Sequence, residues 1–538
     1  MKKILLLFTA LLCIAFQTIF AQPGTLDLSF NMKGFLYTVF SGQDGGYDIA
    51  LQTDGKIVTV GTSMNSDGVH SIAVSRLMPN GTPDNTFGNF GKVVISSSRI
   101  DQYVESVVIQ PDGKIVAAGR YKSLATTPGS NIYYFLTIRL NSNGTLDNSF
   151  NGTGKVLTTW GSGNCMAHSV ALQTDGKIVV GGQNYTGLYN DFAFARYNGN
   201  GTPDNTFGVG GKKIIGVSMK EDYCNEIAIQ KDGRIVATGI TDKAAGFGYR
   251  AVATIRLLSN GNPDISFGNN GFVITDIGAN DDAGGLSIAL QSDGKIVVSG
   301  HDMNDNDLQG YFLVARYNFN GTIDASFNNG NVVLTPVQYF DRGESVAIQT
   351  DGKIVVAGMV EDAGGFQFNS CVLRYTTAGA LDNTFAGGVG YVVTNFGGVD
   401  LSAQDWLTGV AIQKDGKIVA SGLVQTKLFN PFYFLNVRYN GDGAPIALMS
   451  SDELQEMKVK SSISVYPNPA TNFINVTGLD VAVNNKLVIK NIQGNTMREV
   501  NVNTGSSCLI NIETLPRGTY FITLFTGNES KSVKFVKN

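Results

Sequence analysis

The sequence has little cysteine, proline, histidine and charge, and each scarcity excludes a class of protein. Five cysteines among 538 residues, none in a C-x-x-C motif, are too few for a disulfide framework. Thirteen prolines beside 65 glycines do not make a disordered Pro/Gly linker, and 43% apolar residues can fill a large core. Three histidines without metal-ligand spacing give no zinc motif. A formal charge of −4 leaves no basic surface for nucleic acid or anionic membrane.

Residues 1–21 predict a secretory signal peptide. Two lysines form its charged start, an apolar stretch follows up to Phe20, and Ala21 is the small residue before the expected cleavage site. A retained membrane helix is the weaker interpretation, because Gln17 interrupts the apolar stretch. No other segment is apolar enough to span a bilayer. We therefore expect a secreted or outer-surface protein without a transmembrane segment.

An internal repeat dominates the rest of the chain. The string Q-x-D-G-[KR]-I occurs seven times, with its aspartate at Asp54, Asp112, Asp175, Asp232, Asp293, Asp351 and Asp415. A second string, D-x-[ST]-F, also occurs seven times and begins at Asp27, Asp84, Asp147, Asp204, Asp264, Asp324 and Asp382. Two strings that recur together at regular spacing indicate seven copies of one structural unit.

Each unit contains four short apolar runs that are typical of β-strands. In the second unit these runs are Lys92–Ser96, Val104–Gln110, Lys114–Gly119 and Phe135–Asn141. The Asp-Gly between the second and third runs predicts a two-residue type I′ hairpin. Four antiparallel strands repeated seven times predict a seven-bladed β-propeller. A linear solenoid is the rival, but it needs atypical polar end units, and the first and last units look like the others.

The repeats carry a resemblance to a known family. The phrases LNSNGTLDNSF and VALQTDGKIVVGG resemble the delta-60 repeat family of exported bacterial proteins. The resemblance covers residues 23–446 and implies a propeller architecture. It implies no defined activity.

The C-terminal part of the chain has a different pattern. Residues 447–462 are polar and predict a linker, and residues 463–538 alternate between short apolar runs and turns. The YPNPA opening, the phrase LPRGTYF and the basic end Lys534–Lys537 resemble the type A C-terminal sorting domain of the type IX secretion system. The resemblance implies a Bacteroidetes-type bacterium, export by the type IX machinery as a partner, and removal of the domain on delivery. We expect a small β-sandwich here; a sandwich with a binding role of its own is the alternative.

Strand parity assigns the loops to two ends of the predicted ring. The Asp-Gly hairpins and the D-x-[ST]-F connections share one end, which we call the repeat face. The loops between runs one and two and between runs three and four share the other end, which we call the variable face. A residue that is identical in every blade serves a need that every blade has, so we interpret the repeated aspartates, glutamines and arginines as structural. A local function is expected on the variable face.

Acidic loops in the fifth unit are the only metal candidate in the sequence. Asp281 and Asp282 lie in one loop, and Asp302, Asp305 and Asp307 lie in the next. Calcium binds several such oxygen ligands, but the loop lacks the closing glutamate of an EF-hand. A solvated loop is the favoured interpretation. We therefore expect no cofactor, with calcium as the one alternative.

Three residues form the weak candidate for catalysis. Glu105, His168 and Glu344 occupy equivalent second-run positions and are expected to project near a common axis, where a Glu/His pair can act as acid and base. No nucleophile elbow, phosphate loop or zinc motif accompanies them. The favoured function is a monomeric, non-enzymatic binding or structural propeller with an unknown extracellular glycan or protein ligand. The alternative is a hydrolase or lyase that acts on extracellular polysaccharide.

The two ends of the repeat region complement each other. In six units a fourth-run arginine precedes the D-x-[ST]-F aspartate by eight residues: Arg76/Asp84, Arg139/Asp147, Arg196/Asp204, Arg256/Asp264, Arg316/Asp324 and Arg374/Asp382. Arg438 has no such aspartate after it, and Asp27 has no such arginine before it. We therefore expect residues 24–30 to dock beside the last blade and place Asp27 near Arg438.

Overall fold

The computed structural model describes most of the chain after the signal peptide. The described residues are 22–97, 100–123, 132–161, 164–243, 249–278, 281–304, 309–362, 367–397, 403–427, 431–442, 464–466, 469–477, 485–502, 507–526 and 529–538. They form two compact units, Met1–Ala444 and Pro445–Asn538.

The first unit consists of short strands and contains no α-helix among its described residues. In chain order the strands are β1 (Phe35–Thr38), β2 (Gln43–Leu51), β3 (Ile57–Met64), β4 (His70–Leu77), β5 (Lys92–Ile95), β6 (Gln102–Ile109), β7 (Ile115–Lys122), β8 (Tyr133–Leu140), β9 (Lys155–Thr158), β10 (Cys165–Leu172), β11 (Ile178–Tyr185), β12 (Asn190–Tyr197), β13 (Lys212–Ile215), β14 (Asp222–Ile229), β15 (Ile235–Asp242), β16 (Arg250–Leu257), β17 (Phe272–Thr275), β18 (Asp281–Leu290), β19 (Ile296–Asn304), β20 (Gln309–Tyr317), β21 (Val333–Thr335), β22 (Phe340–Ile348), β23 (Ile354–Glu361), β24 (Phe368–Tyr375), β25 (Tyr391–Thr394), β26 (Gln404–Ile412), β27 (Ile418–Gln425) and β28 (Tyr433–Tyr439). Two 3-10 turns, Asn328–Gly330 and Ala386–Gly388, lie in connections.

These strands form seven four-stranded antiparallel sheets within the described residues. The sheets are β2–β5, β6–β9, β10–β13, β14–β17, β18–β21, β22–β25, and β26–β28 completed by β1. One parallel bridge, between Arg250 of β16 and Asp282 of β18, joins the fourth and fifth sheets. The first strand of each sheet packs against the first strand of the next, and β26 packs against β2, which closes a ring. The prediction of a seven-bladed β-propeller is therefore confirmed.

The structure also defines how the sequence units map onto blades. The first run of each unit becomes the outer strand of the preceding blade, as β5 does when it pairs with β4. The last blade has no following unit, and its outer strand is β1 from the N-terminal segment, which pairs with β28. The ring is thus closed by strand hydrogen bonds between the two ends of the repeat region.

The Asp-Gly hairpins differ from the sequence prediction. The Gln52 amide donates to the Lys56 carbonyl at 2.8 Å, and the Gly55 amide donates to the Gln52 carbonyl at 2.9 Å, so the loop has three residues. Gly55 has φ +83°, whereas Asp54 does not have a positive φ. A type I′ turn needs positive φ at both central residues, so the two-residue prediction was wrong. A type I turn followed by a left-handed glycine is the geometry present, and Asp54 Oδ1 accepts the Lys56 amide at 3.2 Å.

The core of the ring is divided into layers between neighbouring blades. In β23, Val356 packs with side chains of the preceding blade, whereas Val355 packs with side chains of the following blade. The third run of each unit is therefore apolar on both faces because both faces are covered. Cys165, Cys224 and Cys371 are unpaired thiols buried in these layers.

The second unit is a small β-sandwich, as the sequence predicted. Its strands are β29 (Ser464–Tyr466), β30 (Phe473–Thr477), β31 (Asn485–Asn491), β32 (Thr496–Val502), β33 (Ser507–Asn511), β34 (Gly518–Thr526) and β35 (Glu529–Lys537). Sheets β29-β30-β33 and β32-β31-β34-β35 enclose a core that includes Ile474, Ile489, Ile522 and Phe535. The apolar runs did not predict β32, because only Val502 in that strand is buried.

Candidate functional site

An arginine–aspartate pair stands at the same place on the repeat face of every blade. The Nε–Oδ2 distances are 2.8 Å for Arg76–Asp84, 2.7 Å for Arg139–Asp147, 2.7 Å for Arg196–Asp204, 2.9 Å for Arg256–Asp264, 2.7 Å for Arg316–Asp324, 2.8 Å for Arg374–Asp382 and 2.7 Å for Arg438–Asp27. All fourteen side chains are buried. Each guanidinium also lies over the phenylalanine of its D-x-[ST]-F string, as Arg76 does over Phe87 at 4.4 Å. The pairs therefore hold the connections between blades, which supports their interpretation as structural.

The seventh pair joins the two ends of the ring. Asp27 accepts hydrogen bonds from Arg438 Nε at 2.7 Å and lies 2.9 Å from Lys417 Nζ, and Phe30 is fully buried against Gly81. Burial disfavours the ionised carboxylate, but the bond from Ser29 and the charges of Lys417 and Arg438 hold the pKa of Asp27 below its ordinary value. The structure thus brings together the two residues that the sequence left without partners.

A β-bulge interrupts the innermost strand of every blade. The pairing register shifts at seven equivalent positions, which are Tyr47, Glu105, His168, Asn225, Leu286, Glu344 and Thr408. All seven residues line one cavity of about 80 Å³ where the innermost strands meet. A bulge re-aims a side chain, and here it turns one residue of each blade into the central channel. Glu105, His168 and Glu344 are therefore brought to one site.

The charged bulge residues are held in ion pairs. His168 Nδ1 lies 2.7 Å from Glu105 Oε2, and Arg120 Nη1 lies 3.0 Å from Glu105 Oε1. Burial opposes the ionised form, yet His168 and Arg120 lower the pKa of Glu105, so this carboxylate accepts bonds and does not supply a proton. Glu344 lies 2.7 Å from Arg342, and burial raises its pKa despite that arginine. The two carboxylates at bulge positions thus differ in protonation tendency.

A second ring of polar side chains, next to the bulges, links each blade to its neighbour. The residue after the bulge accepts the main-chain N–H of the next blade in six of the seven junctions described. The donor–acceptor pairs are Val107 to Asp48 (2.8 Å), Val170 to Ser106 (3.2 Å), Ile227 to Ser169 (3.1 Å), Ile288 to Glu226 (2.6 Å), Val346 to Ser287 (3.1 Å) and Val410 to Ser345 (3.1 Å). Sequence reasoning missed this ring; its signal was a small or acidic residue directly after each bulge position.

The seventh junction of this ring is filled in a different way. Gly409 stands where the other blades have Ser, Asp or Glu, so it offers no side-chain acceptor to the Ile49 amide. Asp48 accepts the Ile49 amide at 2.7 Å with Oδ1 and the Val107 amide with Oδ2. A serine has one oxygen and a carboxylate has two, so Asp48 serves both junctions. Burial raises the pKa of Asp48 to about 6 and that of Glu226 to about 7.

At the variable-face end of the channel the seven blades carry five different residue types. Two residues before the bulges the strands carry Gly45, Tyr103, Met166, Tyr223, Gly284, Arg342 and Trp406, a set that we call the channel mouth. Arg120 lies over the ring of Tyr103 at 4.3 Å. Trp406 packs edge-on against Phe368 at 6.2 Å and Phe432 at 5.5 Å. The five mouth residues that are not glycine all have half-buried side chains.

The structure describes three of the five aspartates that are candidates for calcium binding. Asp281, Asp282 and Asp302 lie on β18 and β19, whereas Asp305 and Asp307 lie outside the described residues. Lys243 Nζ donates to the carbonyl oxygens of Gly278 at 2.5 Å and Asp281 at 3.1 Å, and it pairs with Asp276 at 2.6 Å. The Lys243 ammonium thus already contacts two main-chain oxygens and one carboxylate next to the candidate aspartates. Among the described residues no group of three or more His, Cys, Asp or Glu side chains is placed to hold a metal ion.

The closed ring of four-stranded repeats defines this chain as a β-propeller repeat protein with a separate C-terminal β-sandwich. Six segments match the family described as "Domain of unknown function (DUF5122) beta-propeller": residues 52–87, 110–150, 173–207, 230–267, 291–327 and 349–385. Residues 464–538 match the family described as "Secretion system C-terminal sorting domain". The chain thus contains six DUF5122 β-propeller repeats and, at its C-terminus, a type IX sorting domain, which marks proteins secreted to the cell surface or exterior.

Several solved structures are similar in architecture. Sqt1 from Chaetomium thermophilum is 13% identical, with a TM-score of 0.38 over 74% of this chain and 97% of that chain. The β-propeller domain of the trilobed protease from Pyrococcus furiosus is 10% identical, with a TM-score of 0.35 over 74% and 96%. A GH32 β-fructofuranosidase from Bombyx mori is 9% identical, with a TM-score of 0.28 over 78% and 92%. A search of curated proteins gave no significant match. In the part of the chain that the structure describes, no helix has the length and apolarity to cross a membrane.

Proposed function

We propose that the protein is an extracellular binding module and that its ligand, a glycan outside the cell, occupies the channel mouth. The observation that carries this proposal is the contrast between the two ends of the channel. The repeat face carries the same arginine–aspartate pair seven times, whereas the mouth carries Tyr103, Met166, Tyr223, Arg342 and Trp406 at equivalent positions. A shared structural task does not account for unlike residues, but recognition of one asymmetric ligand does.

The chemistry of the mouth fits a sugar ring. Tyr103, Tyr223 and Trp406 are half-buried aromatic side chains. The ring of Tyr103 already contacts Arg120 at 4.3 Å and the His70 ring at 4.6 Å, so the apolar faces of Tyr223 and Trp406 are the ones that can stack on the C–H face of a pyranose. Deeper in the channel, Glu105 and Asn225 add acceptors and donors for hydroxyl groups. A few polar groups among aromatic side chains in a concavity are the usual composition of a small-ligand site.

The proposal is tested with a glycan array on the secreted full chain and on two single variants. Trp406→Ala removes an aromatic of the mouth, and Phe90→Ala removes an exposed aromatic of the connection between β4 and β5 on the repeat face. We expect saturable binding that Trp406→Ala weakens about tenfold or more and Phe90→Ala leaves unchanged. The absence of binding to any glycan, or equal binding by both variants, would contradict the assignment and favour a structural role.

A second candidate, a hydrolase or lyase for extracellular polysaccharide, rests on one contact. Glu105 fixes one nitrogen of His168 at 2.7 Å, which orients the imidazole as an acid–base residue requires. The test is the formation of reducing ends or unsaturated uronates from polysaccharides by the full chain and by His168→Ala. Turnover that is lost in His168→Ala supports the enzyme, and binding without turnover supports the binding module.

A further inference from the structure

The part of the mouth formed by the fifth blade differs from the rest because it lacks a side chain on the inner strand. Gly284 occupies the position of Tyr103 and Trp406, and a Cβ there would lie 2.8 Å from Cε1 of His301. His301 on β19 therefore fills the place that an inner-strand side chain takes elsewhere. Its Nδ1 is buried and has no hydrogen-bond partner within the described structure. An unpartnered buried ring nitrogen is costly unless a ligand or water completes it.

Two arginines lie near this imidazole: Arg250 pairs with Asp282, two residues before Gly284, and Arg342 occupies the mouth position of the next blade. Burial, with the charges of Arg342 and Arg250, lowers the pKa of His301 to about 3, so the ring is neutral. A neutral imidazole can donate one hydrogen bond and adds no charge of its own. The positive charge of this part of the mouth therefore belongs to the two guanidinium groups.

Both arginines have N–H groups that are available to a further hydrogen-bond acceptor. Arg250 Nε lies 3.6 Å from Asp242 Oδ1 and 3.9 Å from Asp282 Oδ1, which is too far for good hydrogen bonds, and its side chain is 39% exposed. Arg342 Nε lies 2.7 Å from Glu344 Oε1 in an ion pair, and the Arg342 side chain is 34% exposed. A guanidinium has five N–H donors, so terminal N–H groups of both arginines remain for an anion.

We propose that Arg250, Arg342 and His301 form a subsite for the anionic group of an acidic glycan, either a uronate carboxylate or a sulfate ester. This inference rests on the proposed glycan-binding function and names its ligand class. The carboxylate or sulfate oxygens accept from the two guanidinium groups, and the His301 ring donates from Nδ1. Tyr223, which is in the same mouth and feels the charge of Arg250, stacks on the sugar that carries the anion.

The test measures binding of four polymers to the full chain by biolayer interferometry: polygalacturonate, its methyl ester, dextran sulfate and dextran. We expect Arg250→Gln to weaken binding of the anionic polymers about tenfold, as loss of a charge-assisted hydrogen bond predicts. The uncharged polymers should bind the variant and the wild type equally. Polygalacturonate and dextran sulfate separate the carboxylate from the sulfate as the preferred group.

The matched control is Arg234→Gln, which removes a 31% exposed arginine beside an Asp-Gly turn of the repeat face. It changes net charge by the same amount, so a general electrostatic effect would weaken binding in both variants. His301→Asn is a second variant that keeps both arginines and should also weaken anionic binding. Equal binding of anionic and uncharged polymers by the wild type, or an equal loss in the two arginine variants, overturns the subsite. If uncharged glycans still bind and depend on Trp406, the proposed function stands without it.

Discussion

The two faces of the propeller are built from the same strands but follow different rules. On the repeat face the same ion pair, the same phenylalanine and the same three-residue turn recur in each blade. On the variable face no two blades present the same mouth residue except the tyrosines at 103 and 223 and the glycines at 45 and 284. The difference indicates a division of labour: the repeat face holds the blades together, and the variable face is available for recognition.

Between the two faces, the innermost strand of each blade has a variable residue at the bulge and a repeated type of residue directly after it. The residue at each bulge is variable and points into the channel, whereas the next residue is a hydrogen-bond acceptor in six of the seven described junctions. One backbone irregularity thus separates recognition from inter-blade bonding along a single strand. Substitutions on either side of the bulge should therefore have effects of different size on stability and on binding.

The largest effect on stability is expected for Asp27→Ala. It leaves Arg438 buried without its carboxylate, and removal of one partner of such a pair costs about 3–5 kcal/mol. Asp147→Ala makes the same change inside the ring, where the chain is continuous on both sides. We expect both variants to unfold at lower denaturant concentration, but only Asp27→Ala should expose residues 22–38 to protease in the folded state. Identical protease patterns would mean that the seam is no weaker than any other junction.

A smaller effect is expected where Asp48 serves two junctions. Asp48→Ser leaves either the Ile49 or the Val107 amide without an acceptor, which costs about 1–3 kcal/mol. Gly409→Ser would supply the missing seventh acceptor if Ser421 Oγ, 3.0 Å from the new Cβ, and Ile49, whose Cγ2 and main-chain N are 3.1 Å from it, shift slightly. The double variant should recover much of the lost stability, and a thermodynamic cycle of urea midpoints measures the coupling. Additive losses would show that Gly409 and Asp48 are not linked.

A pH effect of similar size is expected from Glu226. Its folded pKa of about 7 is above the unfolded value of 4.5, so its contribution is present below that unfolded value and is lost as pH rises through 7. Between pH 5.5 and 8 we expect a loss on the order of 2 kcal/mol, which Glu226→Gln should largely remove. The repeat-face aspartates have lowered pKa values and contribute fully throughout this window. Thermal unfolding of both proteins at the two pH values measures the difference; equal slopes would locate the titration elsewhere.

The smallest stability effect is expected at a bulge position in the channel. Tyr47→Phe removes a hydroxyl whose contact with Thr62 is 3.5 Å long, so the free energy of unfolding should change by less than about 0.5 kcal/mol. Tyr197→Phe removes a fully buried hydroxyl 2.6 Å from Thr158 and should cost about 1 kcal/mol. Thermal unfolding of the pair compares recognition and packing positions directly. A larger loss for Tyr47→Phe would show that this bulge position also contributes to the free energy of unfolding.

The sequence alone was sufficient for the repeated architecture of the ring. Seven copies of two strings predicted the propeller, the two faces and the position of the strands, because alternation and turn residues act locally and identically in every copy. The unpaired Asp27 and Arg438 even indicated how the ends meet, since a buried charge needs a partner wherever the chain supplies one. The sorting domain was predicted from a resemblance to a known family, carried by the YPNPA opening, the phrase LPRGTYF and the basic end.

Only the tertiary structure decided the bulges, the form of the turns and the contacts between neighbouring strands and blades. The bulges that aim Glu105, His168 and Glu344 into one channel follow from pairing between strands, and so does the three-residue form of the Asp-Gly turns. The double role of Asp48, the lysine among the fifth-blade oxygens and the arginines beside His301 join residues from different blades or strands. Such contacts depend on the closure of the ring, and no local pattern in one unit specifies which side chain its neighbour will present.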